Sequence, residues 1–115
     1  MNNELNEYKP DEALIKETIQ RLISIFDEYG LQLVCNSPPN MAYRELVDQL
    51  TPFFKDLWNN KKSQLMLILY RIDISERLIQ QTTRNFPQMH IYEVLAHLVI
   101  KRELQKAITR RHFKQ

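Results

Sequence analysis

The sequence predicts an all-α fold, a compact single-domain bundle of four to five helices. Only one of the 115 residues is glycine, whereas hairpins and phosphate-binding loops use glycine where the backbone takes positive φ. Helix-favouring residue types are plentiful, and apolar residues recur at spacings of three and four. The length suits one core and is too short for two. We therefore expect one helical domain over residues 1–115, with residues 1–8 as a flexible tail.

The first predicted helix has one broad apolar face. Pro10 suits its first turn, and Gly30 suits the left-handed position just past its end. Leu31 is then expected to pack back onto Phe26. The residues of the face are Leu14, Ile15, Ile19, Leu22, Ile23, Phe26 and Tyr29.

Residues 31–40 contain two prolines and are predicted to form a connection, with Asn40 as the N-cap of a second helix. Pro52 interrupts the hydrogen bonding of that helix. The pattern allows either a kinked continuous helix or a restart in which Thr51 caps a new helix.

The most apolar run of the chain leads to a predicted central hydrophobic helix near residues 62–72, apolar on every side. The alternative is an α+β fold in which residues 68–74 alternate as a strand and pair with 31–35. The helix is favoured because Asp73 and Glu76 resemble a capping box for a following helix. Arg71 then lies in a last helical turn, where a cation is favourable, rather than in a catalytic Arg–Asp pair.

Two further helices are predicted, one within "ISERLIQQTTR" and a long one from about Pro87 to Arg110. The long helix carries two apolar stripes on different sides. Ile91, Val94, Leu95 and Leu98 form the first, and Leu104, Ala107 and Ile108 form the second. Such a helix must be sandwiched between others, break near Val99, or meet a second body.

Charge is unevenly distributed along the chain. Residues 1–60 carry a net charge of −5 from ten acids and five bases, and residues 61–115 carry +7 from four acids and eleven bases. This asymmetry favours packing of one half on the other, head-to-tail contacts between chains, or a basic face for an acidic partner. Arg102, Lys106 and Arg110 follow at intervals of four and form a basic stripe on the last helix.

Other classes of function find little support in the sequence. A single cysteine, Cys35, excludes an internal disulfide and a thiolate zinc cluster. His90, Glu93 and His97 share a helical face, but the two histidines are about 10 Å apart along the axis, too far to share a metal ion without other helices. The longest apolar run has six residues, and the N-terminus lacks the apolar segment of a signal peptide, so we expect a cytoplasmic protein.

The resulting prediction is a small non-catalytic interaction or scaffolding protein without a cofactor, possessing no catalytic residues and self-associating or binding a protein partner through its C-terminal helix. The alternative is a nucleic-acid-associated protein that places the basic residues of that helix on phosphates. The predicted interaction surface consists of Arg102, Leu104, Lys106, Ile108, Arg110, Arg111 and Phe113.

Overall fold

The computed structural model describes residues 11–113 as five helices. They are α1 (Glu12–Asp27), α2 (Pro39–Asn60), α3 (Lys62–Ile72), α4 (Glu76–Asn85) and α5 (Ile91–Phe113). The all-α prediction is confirmed. Residues 11–113 contain no strand, so the α+β alternative is wrong. The predictions for residues 1–8 and Pro10 fall outside the described residues.

Helix α1 begins and ends with clear capping interactions. Asp11 is its N-cap and accepts a hydrogen bond from the backbone N–H of Leu14 at 2.8 Å. At the other end Gly30 has φ 84°, and the N–H of Leu31 donates to the carbonyl of Phe26 at 3.0 Å. This is a Schellman motif, so the predicted role of Gly30 is confirmed, and Leu31 packs against the core cluster to which Phe26 belongs.

The connection after α1 is extended, but side chains of α2 rather than a strand satisfy its backbone. The Gln49 amide accepts from the N–H of Val34 at 2.9 Å and donates to its carbonyl at 2.6 Å. Glu45 accepts from the N–H groups of Asn36 and Ser37 at 3.2 and 3.0 Å. One amide and one carboxylate thus take the place of the sheet partner that the alternative fold required.

Helix α2 differs from the prediction at two points. It begins at Pro39 after Pro38, with no side-chain cap, so the predicted N-cap at Asn40 is wrong. Proline has no backbone N–H, so a proline in the first helical turn leaves no N–H at its position for a side chain to cap. The helix then continues through Pro52, so the restart after Thr51 is wrong; the Thr51 hydroxyl donates to the Val47 carbonyl at 2.8 Å.

Helices α3 and α4 meet at a tight turn, and Asp73 ends α3 rather than capping α4. Asp73 has φ 70°, and the N–H of Ile74 donates to the carbonyl of Leu69 at 3.0 Å in a second Schellman motif. Ser75 is the true N-cap of α4 and accepts from the N–H of Leu78 at 3.1 Å. The predicted capping box at Asp73 is therefore wrong, because aspartate also tolerates the left-handed conformation.

The central helix of the bundle is α5, which contacts all four other helices. It runs unbroken from Ile91 to Phe113 and is sandwiched between them, the first of the three predicted arrangements. Helix α3 buries only one side, since Leu67 is 66% exposed and Tyr70 is 85% exposed. Residues 62–72 do form a helix, as predicted. The prediction that this helix is the central one of the bundle is wrong.

Candidate functional site

The predicted surface on the C-terminal helix is largely engaged within the fold. Each of its four bases lies within 4 Å of an acidic side chain. Leu104 and Ile108 are half-buried, and only Phe113 presents a large apolar side chain, 80% exposed. The paired bases and their partners are Arg102 with Asp73 at 2.8 Å, Lys106 with Glu103 at 3.1 Å, Arg110 with Glu17 at 3.0 Å and Arg111 with Asp11 at 2.6 Å.

Several ion pairs join bases of the second half of the chain to acids of the first half. Arg110 and Arg111 reach acids of α1 or its N-cap, and Arg71 at the end of α3 reaches Glu28. Arg71 donates to both Glu28 oxygens, at 3.0 and 2.9 Å, and to the Tyr29 hydroxyl at 3.2 Å. The Arg71 hydrogen bonds hold the pKa of Glu28 below its usual value. The basic second half of the chain is thus used to attach its helices to the acidic first half.

A large apolar concavity lies between α3 and α4, and we call it the α3–α4 groove. Its volume is about 740 Å³. The end of α2 and the start of α5 contribute to it, and Glu76 and Arg84 line it at opposite ends of α4. The apolar side chains that line it are Trp58, Met66, Leu69, Tyr70, Ile74, Ile79 and Ile91.

A ridge of exposed apolar side chains borders this groove, and we call Met66, Leu67 and Tyr70 the α3 ridge. Met66 is 41% exposed, and its two companions are more exposed still. Spacings of three and four place these residues on the side of α3 opposite Leu65, Ile68, Leu69 and Ile72, which face the core. A run that is apolar on every side predicted full burial, whereas here it has one face in the core and one on the surface.

Helix α4 leaves the groove open because it packs weakly on the rest of the bundle. It buries none of its residues fully, and among the other helices α5 is its main contact. The Schellman turn at Asp73 and the Ser75 cap set the direction in which α4 leaves α3. Ile74, buried in that turn, forms part of the groove floor.

The charges around the groove are of opposite sign at its two ends. Lys62 lies over the Trp58 ring, with Nζ 4.5 Å from the ring centroid, and Arg84 lines the same end. Glu76 lines the other end. Within residues 11–113, Lys61, Lys62, Glu76 and Arg84 form no ion pair, unlike the bases of the predicted surface.

A second polar cluster, half-buried, joins α2 to α5. The Tyr43 hydroxyl lies 2.7 Å from Nδ1 of His97, and Nε2 of His97 lies 3.5 Å from Glu93. Burial raises the pKa of Tyr43 to about 12. The Glu93 carboxylate can only accept a hydrogen bond, so Nδ1 of neutral His97 is the nitrogen without a proton and accepts from the Tyr43 hydroxyl. Nε2 then carries the imidazole proton and faces Glu93. The three side chains satisfy one another's polar groups and form a half-buried link between the two helices.

This cluster is expected to make stability depend on pH. Burial lowers the pKa of His97, as do the charges of Lys101 and Arg44, while Glu93 opposes the shift. As pH falls below about 6.5, the unfolded chain therefore takes up a proton before the folded chain does. Stability should fall in this window by at most about 1.4 kcal/mol per pH unit.

The measurement is urea unfolding of the wild type and His97→Gln at a series of pH values. We expect the wild type to lose more stability than the variant between about pH 7 and 5. Identical profiles would contradict the assignment of this pH dependence to His97. Acids with a lowered pKa, such as Glu28, also cost stability when they are protonated, but this happens at lower pH. Both proteins should show that loss equally.

Other kinds of site can be assessed for the described residues. Among residues 11–113, no group of three or more His, Cys, Asp or Glu side chains is placed to hold a metal ion, and His90 and His97 do not converge on one. None of the five helices combines the length and hydropathy needed to cross a membrane.

Comparisons with protein-family models, with curated proteins and with solved structures each give no match.

Proposed function

We propose that this chain is a non-catalytic interaction module that binds a helical segment in the α3–α4 groove. The observation that supports the proposal is the α3 ridge, three large apolar side chains left exposed beside an apolar groove of about 740 Å³. Exposed apolar surface rimmed by polar residues marks interaction sites in soluble proteins. An elongated groove between two helices suits the apolar face of an amphipathic helix.

The C-terminal helix is a weaker candidate for the same role. Its bases are already paired, and Phe113 is its only large apolar side chain that is mostly exposed. The nucleic-acid alternative would have to break those pairs or rely on other bases. A cytoplasmic setting remains our expectation for the module.

Tyr70 and Phe113 offer a matched pair of variants for testing the groove. Both are aromatic and at least 80% exposed, so replacement by glutamate should change stability by no more than about 0.5 kcal/mol. Trp58 is the only tryptophan of the chain and lines the groove, so its fluorescence reports occupancy there. The ligand probe is a synthetic amphipathic helix of about 14 residues, roughly four turns, with a leucine stripe and no tryptophan.

We expect the peptide to shift Trp58 emission to shorter wavelength in a saturable way. Tyr70→Glu should raise the dissociation constant at least about tenfold, or about 1.4 kcal/mol, because a charge would enter the apolar contact. Phe113→Glu should leave binding unchanged. Absence of any saturable shift, or equal binding by Tyr70→Glu, would refute the groove as the binding site.

The nucleic-acid alternative is tested in parallel with labelled DNA and RNA. Salt-dependent binding at low ionic strength that is lost on replacing Arg110 and Arg111 with alanine would favour it. Absence of binding at low salt would remove it.

A further inference from the structure

We infer that the helix that occupies the α3–α4 groove is α3 of a second copy of this chain, in an antiparallel two-fold dimer. The inference rests on the proposed function and specifies the partner. A two-fold interface uses the same surface patch on both subunits, so that patch must be complementary to itself. The groove and the α3 ridge, which lie side by side, meet this requirement.

The shapes of the two features are complementary. The ridge projects Leu67 and Tyr70, which are 66% and 85% exposed, and the groove beside it is floored by Ile74, Ile79 and Ile91. When one copy is turned by 180° onto the other, each ridge meets the other groove. Both features are thereby covered at once.

The sequence of α3 supplies a register for this contact. Ser63, Met66, Leu67 and Tyr70 lie along the outer side of the helix at spacings of three and four. An antiparallel crossing centred between Met66 and Leu67 places these two side chains against each other across the axis. It also places Tyr70 against Ser63 of the second copy, a large side chain against a small one, as close helix packing requires.

Charge selects the antiparallel orientation. At one end of the groove Arg84 lines it and Lys62 lies over the Trp58 ring, and neither base has an ion pair within residues 11–113. The opposite end carries Glu76, likewise unpaired in that range, beside exposed Arg77. Antiparallel packing brings the basic end of each copy over Glu76 of the other. Parallel packing would bring the two bases of one copy against the two bases of the other, which is unfavourable.

The dimer is tested with the full chain by light scattering coupled to size-exclusion chromatography over a range of concentrations. We expect a concentration-dependent dimer whose dissociation constant rises at least tenfold in Tyr70→Glu and stays unchanged in Phe113→Glu. Circular dichroism and thermal unfolding of each variant establish that the fold is kept.

Paired charge variants test the orientation. Lys62→Glu with Arg84→Glu replaces the two bases at one end of the groove by acids, and Glu76→Lys in a separate chain replaces the acid at the other end by a base. Each protein alone should dimerise at least tenfold more weakly than wild type. An equimolar mixture should recover association as a heterodimer, because its opposed ends then carry opposite charges. A mixture that associates no better than its components would overturn the antiparallel arrangement.

The remaining outcomes separate the two proposals. A chain that stays monomeric at about 1 mM, while the peptide still shifts Trp58 emission, overturns the second copy and leaves the groove as a site for another protein. A dimer that is weakened by Phe113→Glu rather than Tyr70→Glu overturns the inference and points to the C-terminal helix. Failure of both dimerisation and peptide binding overturns the inference and the proposed function together.

Discussion

Leu95→Ala is expected to lower the free energy of unfolding by about 2–5 kcal/mol, the usual range for truncating a fully buried leucine. Leu95 has no exposed surface and lies on α5, the helix that contacts every other helix. Its removal leaves a cavity where neighbouring helices meet, which they cannot fill without shifting together. Urea unfolding followed by circular dichroism measures the change.

The control is Leu67→Ala, the same chemical change on α3. Leu67 is 66% exposed, so its truncation should alter monomer stability by no more than about 0.5 kcal/mol. Both variants should be compared in the Tyr70→Glu background, so that association does not contribute to stability. Equal losses at the two positions would contradict the central place of α5.

Lys106→Ala is expected to destabilise the protein by about 2–4 kcal/mol, because it leaves a buried carboxylate without its closest cation. Glu103 is 1% exposed and lies 3.1 Å from the Lys106 ammonium. Its Oε1 atom accepts no hydrogen bond, and Arg21 lies 3.8 Å from that atom. After the substitution only this longer contact would offset the burial of the charge.

Two variants complete this experiment, again by urea unfolding. Arg110 lies on α5, like Lys106, and forms an exposed ion pair with Glu17 of α1. Arg110→Ala removes this pair and should lower the free energy of unfolding by no more than about 1 kcal/mol. The double variant Lys106→Ala with Glu103→Met no longer buries an unpaired carboxylate. It should therefore regain most of the stability that Lys106→Ala loses. If Lys106→Ala costs no more than Arg110→Ala, the burial of Glu103 is not compensated by Lys106.

Local signals predicted the helices well and predicted some of their ends. Gly30 could be placed because few other residues adopt its backbone conformation at a helix end. Asp73 was assigned to the wrong helix because aspartate suits both an N-cap and a left-handed C-terminal position. Sequence alone could not choose between them, since the choice depends on the packing of Ile74 into the core.

The position of the central helix was harder to predict than its existence. An all-apolar helix such as α3 satisfies the pattern of a buried helix, whether or not a neighbour covers its outer side. The two stripes of α5 did indicate that it is sandwiched, but they fit a second chain equally well. Only the arrangement of all five helices separates these cases.

The candidate site illustrates the same limit. The basic stripe on α5 was visible in the sequence, whereas its acidic partners Glu17 and Asp11 lie 93 and 100 positions away. The groove depends on the angle at which α4 leaves α3, which no spacing of residues encodes. Residue type alone does not show whether Leu67 or Tyr70 is buried or exposed, so the α3 ridge could not be predicted without the fold.

The ion pair of Asp11 with Arg111 joins the start of α1 to the end of α5, and this packing of distant segments affects how the chain folds. Helix α1 packs mainly on α5, the most distant helix in the chain, and only slightly on its neighbour α2. Contacts between such distant positions form late, because the chain must first lose the entropy of closing a long loop. We therefore expect α1 to dock last, onto a bundle already assembled around α5, which gives this helical protein a folding step that depends on topology more than on helix formation.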